Sequence, residues 1–349
     1  MPLFAKRVDS YRLQFERSLT PAEVEKLASD AKIRVLQCAS PVEPHTWDLL
    51  NESLFVRRPE IELRVYGFYT SVCDLSFLHR LRNVRRFSAD CLRNAVGIEH
   101  IAHLENLDEL SVGIYDLENF DFLKLIPAGI KSLSLTATKS RKPRLDLLSR
   151  FHSLRQLYLE CQQQSIEVLS QLQTLEDITL RSISTKNLAY ISGLPRLWSL
   201  DIKLGGIEDF SSIAGKQSIN YLELWQIRGL SDISFVSLLT GLQFLFLQSL
   251  RNVRKIPDLS RLSKLRRLYL DNMKGLNDVS AIASAPALEE FIHVSAQNVA
   301  PEKYAGLLQM PTMKSLLIGF GSGKKNRDFK RLAINSGKKI YEHSNFVFQ

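Results

Sequence analysis

The sequence predicts an α/β solenoid, a stack of short repeats whose strands form a parallel sheet and whose connections return through short helical or 3₁₀ turns. Three observations carry this. The pattern L-x-x-L-x-L recurs in "LENLDELSV" (104–112), "FHSLRQLYL" (151–159), "LQTLEDITL" (172–180), "LPRLWSLDI" (194–202), "LTGLQFLFL" (239–247), "LSKLRRLYL" (262–270) and, more weakly, "APALEEFIH" (285–293). Its anchors, Leu107, Ile130, Leu154, Leu175, Leu197, Ile219, Leu242, Leu265 and Leu288, are 21 to 24 residues apart. Between them lies a second apolar cluster, often opened by an acidic residue, as in "EDFSSIAG" (208–215), "DISFVSLL" (232–239) and "DVSAIAS" (278–284). A unit this short cannot bury its own apolar face, so neighbouring units must stack.

Taken in order, the chain opens with "TPAE" (20–23), a capping box with Pro21 at the first helical position. Three irregular strand segments follow, "KIRVLQC" (32–38), "IELRVYG" (61–67) and "VRRFSAD" (84–90). Regular repeats then run to "MPTMKSLLI" (310–318), and a basic segment with Phe346 and Phe348 closes the chain. The expected organisation is an N-terminal cap and irregular first repeat over 1–60, a solenoid over 61–319 and a basic C-terminal cap over 320–349. This makes one solenoid of about eleven repeats rather than two domains.

These motifs resemble the leucine-rich-repeat family, in particular its short-repeat subclass of internalin-like and phosphatase-regulator-like proteins. The resemblance implies a horseshoe with a parallel concave sheet and short helical or 3₁₀ turns on the convex side. It departs from the family in one respect. Where the family places Asn or Cys three residues beyond the last strand leucine, this chain has Ile183, Ile227, Leu250 and Met273, with Gln162 the nearest polar equivalent. An aliphatic ladder is expected in place of an asparagine ladder.

Alternation along a strand sends the leucines inward and the intervening residues outward. The outward residues change along the chain. The first third is small and polar (Ser88, Ser111, Ser134), the middle is charged, and the last third is aromatic and aliphatic. Tyr221, Trp225, Phe244, Phe246, Tyr269, Ile292, Val294 and Leu317 should form a patch roughly 20 Å long across five strands. Asp201, Lys203, Glu223, Arg267, Asp271 and Glu290 rim it. Aromatic anchors inside a charged rim are the anatomy of a protein-binding site. The expected partner is therefore a protein held on the concave face, contacted by Tyr221, Trp225, Phe244, Phe246, Tyr269, Glu223, Asp201, Arg267, Asp271 and Ile292. Two alternatives would also bury the patch: the C-terminal segment folding back, or a homodimer. His293 falls in a slot read as buried, so a register shift there is a third alternative to test.

Composition narrows the remaining classes. The formal charge is +9, and the last thirty residues hold seven basic residues against Asp328 and Glu342. Nucleic-acid binding through this tail and the loops "KSRKPR" (139–144) and "RNVRK" (251–255) is thus the alternative function. The loops lack aromatic stacking partners, which weakens it. The four cysteines, Cys38, Cys73, Cys91 and Cys161, have neither zinc-ligand nor disulfide-scaffold spacing and fit free thiols in the cytoplasm. There is no run of 18 apolar residues to suggest a membrane span, and Lys6, Arg7, Asp9 and Arg12 interrupt any signal-peptide core. His100 and His103 have a spacing that could suit a metal but read as surface histidines. "GFGSGKK" (319–325) misses phosphate-loop spacing and reads as a glycine turn. No hydrolase, zinc-protease or kinase motif is present, so neither catalysis nor a cofactor is expected.

Overall fold

The computed structural model describes residues 5–69 and 71–349, so the first part of the expected N-terminal cap (1–4) lies outside the described residues. The chain forms two compact units, Met1–Thr174 and Leu175–Gln349.

The first unit starts with an antiparallel pair, β1 (Ala5–Arg7) and β2 (Arg12–Phe15). From β2 onward every neighbour is parallel: β3 (Val35–Cys38), β4 (Glu62–Tyr66), β5 (Arg86–Leu92), β6 (Glu109–Ile114), β7 (Ser132–Leu135) and β8 (Gln156–Glu160). Helix α1 (Pro21–Ser29) begins at the expected TPAE sequence, where the Thr20 N–H donates to the Glu23 carboxylate at 2.9 Å. Arg17, 2.7 Å from that carboxylate, holds its pKa down to about 2. Val24 and Leu27 are the helix's buried side.

The second unit repeats the parallel pattern without interruption: β9 (Asp177–Arg181), β10 (Ser199–Lys203), β11 (Tyr221–Trp225), β12 (Phe244–Gln248), β13 (Arg267–Asp271), β14 (Glu290–Val294), β15 (Ser315–Ile318) and β16 (Lys339–Ile340). The chain returns between strands through 3₁₀ turns such as Ser211–Ile213, Ser234–Leu238 and Ser280–Ser284. The acidic residues noted in the sequence set these turns. Asp209, Asp232 and Asp278 each accept from the backbone N–H two residues on, at 2.7, 2.8 and 3.0 Å. Such a local bond closes the backbone into a turn without a glycine. Before β16, the glycine turn leads into helix α2 (Gly323–Asn335), with Ser322 as its N-cap.

The core is the predicted one. Leu222, Leu224, Leu245, Leu247, Leu268 and Leu270 are fully buried, each burial being worth about 1.5–3 kcal/mol. Beyond each strand, Ile183, Ile227, Leu250 and Met273 are buried as the aliphatic ladder. Gly205 occupies the slot between Ile183 and Ile227, since a Cβ there would lie 2.2 Å from the Ile183 carbonyl oxygen. In the first unit the slot is polar: buried Gln162 donates through Nε2 to Thr138 Oγ1 at 2.8 Å.

What replaces the asparagine ladder is backbone. The residue after each strand adopts a left-handed conformation: Ser182 (φ 55°), Leu204 (57°), Gln226 (50°), Ser249 (54°), Asn272 (50°) and Ser295 (60°). That turn aims its N–H at the next repeat. Ser182, Leu204, Gln226, Ser249 and Asn272 donate to the carbonyls of Lys203, Trp225, Gln248, Asp271 and Val294 at 2.7–3.1 Å. One N–H of each loop is thereby paired by backbone alone, leaving the slot below free to be aliphatic, and beyond β13 the Asn298 side chain also donates to the Met273 and Leu276 carbonyls.

His293 is fully buried, with Nδ1 2.7 Å from the Tyr304 hydroxyl, and Leu270↔His293↔Ile318 pair in unbroken register. No register shift occurs there. Burial pushes its pKa down to about 4.

Candidate functional site

Strand alternation in the second unit produces three outward columns. The middle one is Thr179, Asp201, Glu223, Phe246, Tyr269, Ile292 and Leu317. The column at the strand starts is Asp177, Ser199, Tyr221, Phe244, Arg267, Glu290 and Ser315, and that at the strand ends is Arg181, Lys203, Trp225, Gln248, Asp271 and Val294. All ten expected site residues lie on this face, in the expected register.

Three zones divide it. The first is acidic. Lys203 Nζ lies 3.1 Å from Asp201 and 3.2 Å from Glu223, and the Tyr221 hydroxyl donates to Glu223 at 2.8 Å. Burial, then the nearby Glu223, pushes Asp201 up to about 6. Burial also raises Asp177. Burial works against the Lys203 ammonium too, but Asp201 and Glu223 outweigh it and its pKa is raised. The Tyr221 hydroxyl is likewise raised, first by burial and then by Asp201. Glu223, expected on an open rim, is buried instead, because Tyr221 and Lys203 close over it.

The second zone is covered. After β16, residues 341–349 run as irregular chain past the starts of the strands. Arg267 is buried; its Nε is 2.6 Å from Glu290, and it donates from Nη1 to the Ser344 carbonyl and from Nη2 to Ser344 Oγ, both at 3.1 Å. Arg266 donates to the Val347 carbonyl. Gln243 pairs with Gln349 in both directions, Nε2 to the carbonyl at 2.7 Å and Oε1 from the N–H at 2.9 Å. The Phe346 ring sits 5.3 Å from Phe244 and 4.7 Å from the Arg266 guanidinium. Phe348 sits 5.1 Å edge-on to Trp198 and 6.3 Å from Tyr221. The expectation of one open patch is corrected here. Tyr221 and Phe244 lie against the C-terminal rings, Arg267 is consumed by Glu290 and Ser344, and Ile292, although outward in register, is fully buried.

The third zone is a strip made of the strand-end column and the neighbouring middle-column residues Phe246, Tyr269 and Leu317. Phe246 and Tyr269 meet edge-to-face at 4.8 Å, and Trp225 has the Arg181 guanidinium 5.8 Å from its ring. Asp271 accepts from Gln248 at 2.8 Å and is raised by burial. Val294 continues the strip and Leu317, 40% exposed, closes it.

Sequence reasoning missed Trp198, Gln243 and Arg266, the residues just before the strands that hold the C-terminal segment. The available signal was "FVF" (346–348), two aromatic rings at alternate positions of an extended segment. The rings of His79, His100 and His103 come within 5.8–6.3 Å of one another in the first unit. No group of three or more His, Cys, Asp and Glu among the described residues could hold a metal ion.

Parallel strands, one per repeat, returned by 3₁₀ turns over an inward leucine core define the leucine-rich-repeat fold, and the chain has that fold. Solved structures show the likeness. An internalin, inlF, from Listeria monocytogenes is similar at a TM-score of 0.58 and 21% identity, over 87% of this chain and 86% of that one. A leucine-rich-repeat protein from Leptospira interrogans is similar at 0.51 and 16%, over 93% of each. A chain of the mouse RP105/MD-1 complex is similar at 0.56 and 17%, over 96% of this chain and 64% of that one. No protein-family model and no curated protein sequence matches the chain.

Proposed function

We propose that the protein is a non-catalytic module that binds a protein partner on the outward face of the second unit's sheet and acts by occupancy, as an adaptor, a regulatory subunit or a neutraliser of an enzyme or toxin. One observation carries this reading. The strip of Trp225, Phe246 and Tyr269 is only half-buried, beside Gln248, Asp271 and Lys203, whereas the leucines of the same strands are fully buried. Aromatic rings edged by polar groups are the anchors that dominate binding energies. Structures of similar fold add support, since RP105 is in complex with MD-1 and Toll with Spätzle. A cytoplasmic setting fits the thiols. Cys38 and Cys73 are free, buried and held protonated by that burial, at about 11 and about 12.

The alternative, nucleic-acid binding, rests on α2, whose Lys324, Lys325, Arg327, Lys330 and Arg331 are all exposed. A further structure of similar fold is a complex of TLR13 with the single-stranded RNA ssRNA13.

The test is affinity capture from native lysate with four baits: the wild-type chain, Trp225→Ala/Phe246→Ala, Ser111→Ala/Ser134→Ala, and α2 with Lys324, Lys325 and Arg327 changed to Gln. A protein retained by the wild-type, serine and α2 baits and lost by the aromatic bait supports the reading. A nucleic acid lost only by the α2 bait replaces it with the alternative.

A further inference from the structure

The C-terminal segment is held on the sheet face in the manner of a ligand rather than of a repeat. Its last ladder bond is the Tyr341 N–H to the Leu316 carbonyl at 3.1 Å, and beyond it Glu342, His343, Ser344, Asn345, Val347 and Gln349 are exposed. What fixes it is a short set of side-chain contacts. Two rings enter the face, two main-chain carbonyls accept from Arg266 and Arg267, and Gln243 clamps Gln349. The Phe346 and Phe348 rings are 4.8 Å apart. Phe346 meets Phe244 while Phe348 meets Tyr221 and Trp198, so alternate residues of the segment fall onto successive repeats. The receiving groups, Trp198, Tyr221, Phe244, Gln243, Arg266 and Arg267, come from four adjacent repeats and are presented at strand starts whose backbone is fixed by the ladder.

We propose that residues 341–349 are a displaceable ligand held in cis, and that the groove beneath them accepts from a partner protein an extended segment with aromatic side chains at alternate positions. The inference rests on the protein-binding reading of this face and adds the chemistry of the partner segment and the means of regulation. Arginine guanidiniums that meet both carbonyls and ring faces select an extended backbone carrying aromatics, because a helix would turn its carbonyls away along its own axis. The tether makes the covering segment an intramolecular competitor at an effective concentration in the millimolar range. A partner segment must therefore either bind more tightly or arrive with additional contacts, which the neighbouring strip of Trp225, Phe246 and Tyr269 is placed to supply.

The test uses the full chain carrying Phe346→Ala/Phe348→Ala and a fluorescein-labelled peptide of sequence YEHSNFVFQ, followed by fluorescence anisotropy. The expected result is saturable binding to the double variant, at least tenfold tighter than to the wild-type chain, and no binding of a control peptide with both phenylalanines changed to alanine. Phe346→Ala and Phe348→Ala alone should each give intermediate affinity, and they serve if the double variant does not melt like wild type. A folded variant that shows no saturable binding, or binds no better than wild type, overturns the proposal. So does a partner that depends on Trp225 and Phe246 while the peptide never binds, an outcome that leaves the protein-binding reading standing. Peptide binding with no partner that depends on those two residues supports the groove and removes the reading of the strip.

Discussion

Two titratable groups of the second unit, half-buried Asp201 and buried His293, pull its stability in opposite directions. Folded Asp201 keeps its proton up to about pH 6, whereas an unfolded aspartate releases it near the ordinary value of 3.8. Between those values the folded state holds more protons, so this group's contribution to stability rises as pH falls. His293 has the reverse sign. It stays neutral down to about 4 in the fold, while the unfolded chain takes up the proton from about 6.5 downward, so stability falls as pH falls. The windows overlap between about 4 and 6 and largely offset each other. Asp201→Asn should remove one slope and expose the other. Between about pH 6.5 and 4 its unfolding free energy should drop more steeply than that of wild type, by a further 1–3 kcal/mol or so. Urea titrations across this range check this, and equal slopes would show that Asp201 is not held protonated. Gln226 offers a second residue-scale test, being exposed and left-handed at φ 50°. Asparagine tolerates that conformation and a β-branched residue does not. Gln226→Asn should thus stabilise by about 0.5–1 kcal/mol and Gln226→Val destabilise by more than that, as read by thermal melts.

At the scale of the element, the strands were legible because alternation and a fixed repeat length are properties of the sequence itself. The inward leucines, the outward columns and the aliphatic ladder all follow from counting. Two features were not legible. The left-handed turn falls on Cys161, Ser182, Leu204 and Gln226, none of which announces it as glycine would, because the repeat's inter-strand bonds rather than local preference impose it. The course of residues 341–349 was equally hidden, since Gln349 meets Gln243 across 106 residues and an extended segment has no periodicity to read. The ladder is the element with the sharpest mechanical consequence. Leu250 and Met273 are fully buried, so truncating either to alanine should cost about 2–4 kcal/mol through lost burial and a cavity. A cost below about 1 kcal/mol in chemical denaturation would show that the turns are held by their backbone bonds alone.

For the molecule as a whole, what folds the second unit is separate from what the unit does. Inward leucines and the ladder fold it. The acidic zone and the C-terminal segment occupy two parts of its outward face, and the aromatic strip is the part left for a partner. Trp225 and Phe246 are half-buried and lie outside the leucine core, so their truncation should lower the melting temperature less than truncation of an inward leucine does. The most direct measurement is calorimetric titration of the captured partner into wild-type chain and into Trp225→Ala/Phe246→Ala, at low and at high salt. Binding by the aromatic strip predicts a loss of about 2 kcal/mol or more for the double variant, with the wild-type affinity changing little with salt. An unchanged affinity in a folded variant, or a wild-type affinity that collapses as salt rises, would contradict it.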